Sequence, residues 1–457
     1  ATVSEKPVVF RPAWYRLPFF YCDGRFEVVV PPGRVVVTME RGYEHEIVSQ
    51  TLQVEPGATA EVELVSRRLF DMKSRGWISG DTHVHWSVNS WDENEDLGLL
   101  RVVQRAEDVR VVNNLTLAQW RPEGRSFVKP DHGPPGPLPD LCDDDYLVWM
   151  GEEFRNDNHF GHVNLLGLTR LVEPISTGPG SGGDPKALDY PINRAVLEEA
   201  GRQGAVRCEA HNLGPFGSSG VPVNLIQGRS DCLDQLEPIH YQRFLDCGFK
   251  IGLGNGSDHP ARVLGCCRVY VRTATPGRVD YHEWLNGLKA GRTFTTSGPL
   301  LDLTVDDVGI GDTLNCHPGQ TVRIVTRAWS RGPLGVVELV SNNQVVRRVA
   351  TQDSTWSEQL AFEIDQPRWF VLRASRGDSF DALSGPDIAH TSAVYVDVEG
   401  HGVFVADAAR WWIANIRQHR QRLLARANFA NDDQRREALE DIDHALDLYQ
   451  SLIRQHG

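Results

Sequence analysis

Apolar and polar positions alternate along some stretches of the chain and recur at helical spacing along others. The pattern divides the sequence into four parts. Residues 1–72 alternate with period two in FEVVVPPGRVVVTME and HEIVSQTLQVEPGATAEVELVS, with Asp23-Gly24 and Pro56-Gly57 as turns. Successive side chains of a strand point to opposite faces, so this part predicts a small β-sandwich. Residues 73–300 interleave short apolar runs with helix-like stretches such as 90–108 and 192–204. Strand then helix, repeated, predicts an α/β domain built on a parallel sheet. Residues 301–400 return to short strands (TVRIVTRAW, GVVELVSNNQVVRRVA, RWFVLRAS, SAVYVDV) broken by Gly, Pro and Asn, a second β-sandwich. Residues 401–457 read as a helical hairpin. Ala409, Trp412, Ile416 and Leu423 form one apolar stripe, and Leu439, Ile442, Leu446 and Tyr449 a second. ANFAND (427–432) is the expected turn, with Asn431 and Gln434 as a capping pair.

The apolar runs of the second part share a feature. GWISGDTHVHW (76–86) ends in His83-Val84-His85, two imidazoles that a strand points to one face. DYLVWMGEEF (145–154) leads into Glu152 and Glu153, and GHVNLLGL (161–168) opens with His162. GAVRCEAHN (204–212) closes on His211, and FKIGLGNGSDHP (249–260) on Asp258 and His259. Taken singly, each residue has a plain structural reading: a solvated acid pair, a turn histidine, a core histidine, a capping aspartate. Taken together, they stand where strands give way to Gly, Pro or Asn. In β/α barrels such ends converge on one mouth. Imidazole and carboxylate side chains meeting there suit a divalent metal ion.

These residues carry a resemblance. His83-x-His85, Gly151-Glu152-Glu153, Gly161-His162, Ala210-His211 and Gly256-Ser257-Asp258 resemble the successive metal motifs of the PHP (polymerase and histidinol phosphatase) superfamily. GLKAGRTFTTSGPLLDLTVDD (287–307) resembles the segment after the barrel in its carbaryl hydrolase-like (CehA/McbA) branch. The resemblance spans about residues 75–345. It implies a distorted seven-stranded (β/α) barrel, flanked here by the two β-sandwiches and the hairpin, and metal-dependent hydrolysis. By register it implies Glu153 rather than Glu152 as the carboxylate ligand. His83, His85, Glu153 and Asp258 would hold a first ion; Glu153, His162 and His211 would hold a second, with Glu153 bridging. The family's third site departs: its positions fall near Trp91, in NNLTLAQW (113–120), and on Pro260. One or two divalent ions are therefore expected, and zinc, manganese and iron all suit such ligands.

A cation lowers the pKa of its bound water to about 7 and gives a metal-bound hydroxide near neutrality. Phosphate monoesters need more positive charge than a site lacking its third ion offers. The expected substrate is thus a small organic ester, amide or carbamate. His259 is the candidate proton donor or replacement ligand, or lies outside the metal shell. Gln119 is a candidate substrate-orienting group, or a polar strand cap. Arg292 would meet a substrate carboxylate, or sit in a structural ion pair. Two other functions stay open: a phosphoesterase using His259 in a rearranged third site, and a catalytically inactive module whose sandwiches bind carbohydrate or protein.

Composition narrows the partners. The chain has 457 residues, 40% hydrophobic and 24% charged, which are globular values. A net charge of −14 disfavours nucleic acid and anionic membrane surfaces. No run approaches the roughly 18 apolar residues that span a bilayer. The eight cysteines lack a Cys-x-x-Cys pair and do not read as a disulfide framework, which favours a reducing, cytoplasmic setting. A leader removed before ATVSEKP would alter that expectation. The tail's apolar stripes pack on their own domain or build a homo-oligomer contact.

Overall fold

The structure is a computed structural model. It describes residues 19–86, 97–116, 119–120, 126–127, 134–156, 159–179, 186–211, 220–377, 379–380 and 387–456. It is mixed α/β, with seven α-helices among the described residues.

The N-terminal part contributes an antiparallel ribbon, β1 (Gly33–Met39) and β2 (Val48–Val54), paired from Gly33–Val54 to Met39–Val48. No side chain of either strand is buried. Residues 61–66 alternate exposed and half-buried positions without joining a strand. The described residues therefore show a two-stranded ribbon where alternation predicts a sandwich; residues 1–18 lie outside them.

The site sheet is built on β3 (Trp77–Val84). Every residue of β3 is buried, because it is paired on both sides. It runs parallel to β4 (Val111–Thr116), which runs parallel to β5 (Leu147–Asn156). β6 (Gly161–Leu166) is antiparallel to β5, and β7 (Val206–Ala210) antiparallel to β6. β8 (Cys232–Asp234) and β9 (Gly252–Gly254) continue in parallel. On the other side of β3, β10 (Arg268–Arg272) and β11 (Thr293–Thr296) follow in antiparallel order. The wholly parallel arrangement expected from the strand–helix alternation is thus corrected at β5–β6–β7. Only residues 157–160 join β5 to β6, enough for a hairpin and far short of a parallel crossover. A closed seven-stranded barrel is not shown; the chain beyond β9 returns to β3 at the isolated bridge between Val84 and His259. Gly80 of β3 is required by packing, since a Cβ there would lie 2.4 Å from the Trp284 ring.

The sheet does not stop at residue 300. β11 pairs with Ile388–Thr391, and through it with Arg368–Ser375, Val394–Val398 and Gly335–Ser341. A separate four-stranded sheet (Leu300–Val305, Val308–Gly309, Gln320–Trp329, Thr355–Ile364) belongs to the same C-terminal part. The core there gathers Leu301, Leu303 and Ile324 from this sheet with Leu339, Phe370 and Leu372 from the larger one. The 301–400 part thus has two β-layers, one of them continuous with the site sheet.

The helices are α1 (Leu97–Ala106), α2 (Asn193–Arg202), α3 (Val221–Ile226), α4 (Pro238–Asp246), α5 (Tyr281–Lys289), α6 (Ala406–Arg426) and α7 (Asp432–His456). None of the described helices is long and apolar enough to cross a membrane. The expected turn and cap are in place: Gln434 N donates to Asn431 Oδ1 (3.0 Å), and Ala430 N donates to Gln434 Oε1 (2.9 Å). Ala409, Trp412, Ile416 and Leu423 are buried in one core with α3, α4 and β9 residues. Trp412 stacks on Phe244 of α4, and the Tyr449 hydroxyl donates to Pro222 O. The stripes therefore pack on their own chain.

His419 of α6 is fully buried edge-on to Phe160, and neither ring nitrogen has a hydrogen-bond partner among the described residues. Burial, aided by the charges of Arg422 and His159, lowers its pKa to about 3. The unfolded chain would take up this proton below its ordinary value of 6.5, while the folded chain resists it. Stability is therefore present above pH 6.5 and is lost as pH falls toward 3. His419→Leu is expected to flatten the pH dependence of unfolding between pH 6.5 and 4, an effect of about 3 kcal/mol at pH 4. Urea titrations at several pH values would read it; an unchanged slope would exclude His419 as a source.

Candidate metal centre

His83 is the last residue but one of β3, fully buried, and His85 follows one residue after the strand's end. Their Nε2 atoms lie 3.0 Å apart, as period-two spacing requires. The Leu115 carbonyl lies 3.0 Å from His85 Nδ1. Donation from Nδ1–H to that oxygen leaves Nε2 as the ligating nitrogen. His83 Nδ1 faces Asp234 Oδ2 at 3.7 Å, and that oxygen also accepts from Thr82 Oγ1 and Asn164 Nδ2, both at 3.0 Å.

β5 separates the two glutamates by its alternation. Glu153 turns into the cluster: its Oε1 lies 2.8 Å from His162 Nδ1, 3.4 Å from His83 Nε2 and 3.4 Å from His211 Nε2. Its Oε2 lies 3.2 Å from His85 Nε2 and accepts from Arg155 Nε at 2.7 Å. Glu152 turns the other way and accepts from Val172 N at 2.7 Å. Burial raises its carboxyl to about 8, so it is mostly neutral at pH 7. The register expectation for Glu153 matches this geometry.

His162 is the second residue of β6, directly across from Arg155. His211 follows β7 and Asp258 follows β9, both in the left-handed backbone region (φ 65° and 53°) that His and Asp adopt more readily than most residues. Asp258 Oδ1 lies 3.4 Å from His83 Nε2 and 3.5 Å from His85 Nε2. The loop reaches β3 because residue 256 is glycine: a Cβ there would sit 2.5 Å from both His83 N and His83 Cβ.

All six expected ligands thus come together, in three overlapping groups: His83–His85–Glu153, Glu153–His162–His211, and His83–His211–Asp258. Within each, one donor atom per residue lies within 4.8 Å of the others. The second is the expected second set; the first holds three of the four residues expected for the first ion, with Glu153 shared between the two. Asp258, expected with the first set, groups instead with His83 and His211. These residues could hold a metal ion. The electrostatics fit one. Burial raises the Glu153 carboxyl, but Arg155, His162 and His83 outweigh it and hold it well below the usual range. Burial likewise lowers the His83 imidazole, but Asp258 and Glu153 outweigh it and push it well above 6.5. Two carboxylates, buried Glu153 and partly exposed Asp258, thus draw positive charge onto a histidine, a charge that a divalent ion would supply instead.

The three expected catalytic residues fare differently. His259 is beside the cluster but buried, stacked on Trp86 at 4.7 Å. Burial lowers its pKa to about 4, so it is neutral at pH 7 and poorly suited to donate a proton; its carbonyl accepts from His85 N. Of the two expected readings of Arg292, the structure shows the structural ion pair: its guanidinium pairs with Asp312 at 3.0 Å on an exposed surface, where Gly291 turns the chain before β11. Gln119 lies on the short strand Gln119–Trp120, paired with Ser126–Phe127; its side chain is outside the described residues.

Sequence reasoning missed Arg155, Asp234 and Asp81. Arg155 was findable, since position i+2 from Glu153 shares its face. Asp234 ends the short strand CLD. Asp81 accepts three backbone N–H groups, described below. Burial raises its carboxyl to about 6 against the pull of those bonds. No protein-family model matches the chain, and no curated protein matches it.

Proposed function

We propose that the protein is a metal-dependent hydrolase of the PHP type, resembling the carbaryl hydrolase-like branch. Its substrate would be a small organic ester, amide or carbamate. The observation that carries this reading is the meeting of six ligand-type side chains, from five separate segments, around one buried carboxylate. His83, His85, Glu153, His162, His211 and Asp258 would hold one or two divalent ions; zinc, manganese and iron suit the set. A bound ion would supply a water acidic enough to attack near neutral pH and a Lewis acid for the scissile carbonyl.

The chain's own groups do the rest. Glu153, His83 and His85 are closed off from solvent, whereas Asp258, His211 and His162 keep 25%, 23% and 11% of their side-chain surface. Substrate therefore approaches from the Asp258–His211 side. Arg155 keeps Glu153 ionised and, among the described residues, is the arginine in direct contact with that carboxylate. One engaged guanidinium offers little charge for a phosphate dianion, which favours a carbonyl substrate over a phosphate monoester. Neutral His259, flat on Trp86, walls the cluster beside His85.

A panel of aryl esters, aryl carbamates and aryl phosphates, run with zinc or manganese, tests the substrate class. Higher kcat/KM on the esters or carbamates is expected. Faster phosphate turnover would reject it in favour of a phosphoesterase.

A further inference from the structure

The ligands' spacing depends on a group that is not a ligand. We propose that Asp81 is the positioning residue of the centre, fixing His83 and Asp258 relative to each other through the backbone; this rests on the metal reading above. Asp81 is fully buried. Its Oδ1 accepts from His83 N at 3.0 Å and from Ser257 N at 2.9 Å. Its Oδ2 accepts from Gly265 N at 2.9 Å. One carboxylate thus holds the backbone of one ligand, of the residue before another ligand, and of the loop that leads away from it. Asp258 N closes the junction by donating to His83 O at 2.8 Å.

The arrangement has little slack. Gly256 passes so close that a Cβ would meet His83 N at 2.5 Å and Asp81 Oδ1 at 2.8 Å. Asp258 holds a left-handed backbone that costs free energy and persists only where its surroundings dictate it. Both oxygens of the Asp81 side chain must accept, because all three neighbours donate. Asparagine has the same shape but offers an NH₂ on one edge, which would face an N–H.

The test compares wild type with Asp81→Asn by zinc titration calorimetry and by amide hydrogen exchange. The proposal expects zinc affinity to fall about 10–100-fold, the range for losing a partner that orients a ligand. It also expects faster exchange at the amides of His83, Ser257 and Gly265, with α6 and α7 unchanged. A merely structural role would lower the melting temperature and leave zinc affinity alone, and that result would overturn the proposal. So would unchanged exchange at the three amides. If Asp81→Asn does not fold, Gly256→Ala tests the same spacing with the carboxylate in place, and wild-type zinc affinity in that variant would overturn it. Failure of the metal reading shows separately, as a wild-type protein that binds neither zinc nor manganese, and this too overturns the proposed role.

Discussion

Glu153→Gln is expected to strip the protein of metal and of turnover, while Glu152→Gln leaves both in place. Glu153 belongs to two of the three ligand groups and touches four imidazoles and a guanidinium within 3.4 Å. An amide keeps the shape but removes the charge that holds those groups around it. Losing an outer partner of a ligand costs roughly 10–100-fold in metal affinity, and losing the shared ligand itself must cost more. Glu152 is the built-in control. It lies one residue away on the opposite face and is already mostly neutral at pH 7, so an amide changes little there. Metal content and kcat/KM of both variants give the comparison. Equal losses in the two, or metal retained by Glu153→Gln, would contradict the assigned roles.

Trp412→Ala is expected to destabilise the chain by about 3–5 kcal/mol, the cost of emptying a large aromatic site in a core. Trp412 is fully buried, stacked on Phe244 at 4.0 Å with the ring planes 8° apart, and edge-on to Trp411. It joins α6 to α4, which carries the chain from β8 to β9, and β9 leads to Asp258. Half-buried Trp411, its chain neighbour, should cost clearly less when truncated. Denaturant midpoints measure both; a smaller loss at Trp412 than at Trp411 would remove the hairpin from the core that supports the site.

The candidate ligands were legible because their signal is local. A strand's alternation and a histidine or acid at its end are visible within ten residues, and six such positions met as expected. The hairpin direction of β5 and β6 was less visible, since the apolar runs look alike in parallel and antiparallel sheets. The connection length of 157–160 was the missed cue. The ion-pair reading of Arg292 was open in the sequence, but its pattern says nothing of Asp312, its partner 20 residues on. Apart from the bond of Asp81 to His83 N, two residues on, Asp81 and Asp234 act through contacts spanning 70 to 184 residues, with backbone amides or side chains that no spacing rule reaches. The 301–400 alternation foretold two layers but not that one would extend the site sheet, because an edge strand reads the same whichever neighbour it takes.

The most direct measurement is an anomalous-difference map from crystals grown with zinc or manganese. The account predicts one or two peaks bounded by His83, His85, Glu153, His162, His211 and Asp258. A map with no peak there at saturating metal, or peaks only at other residues, would contradict it.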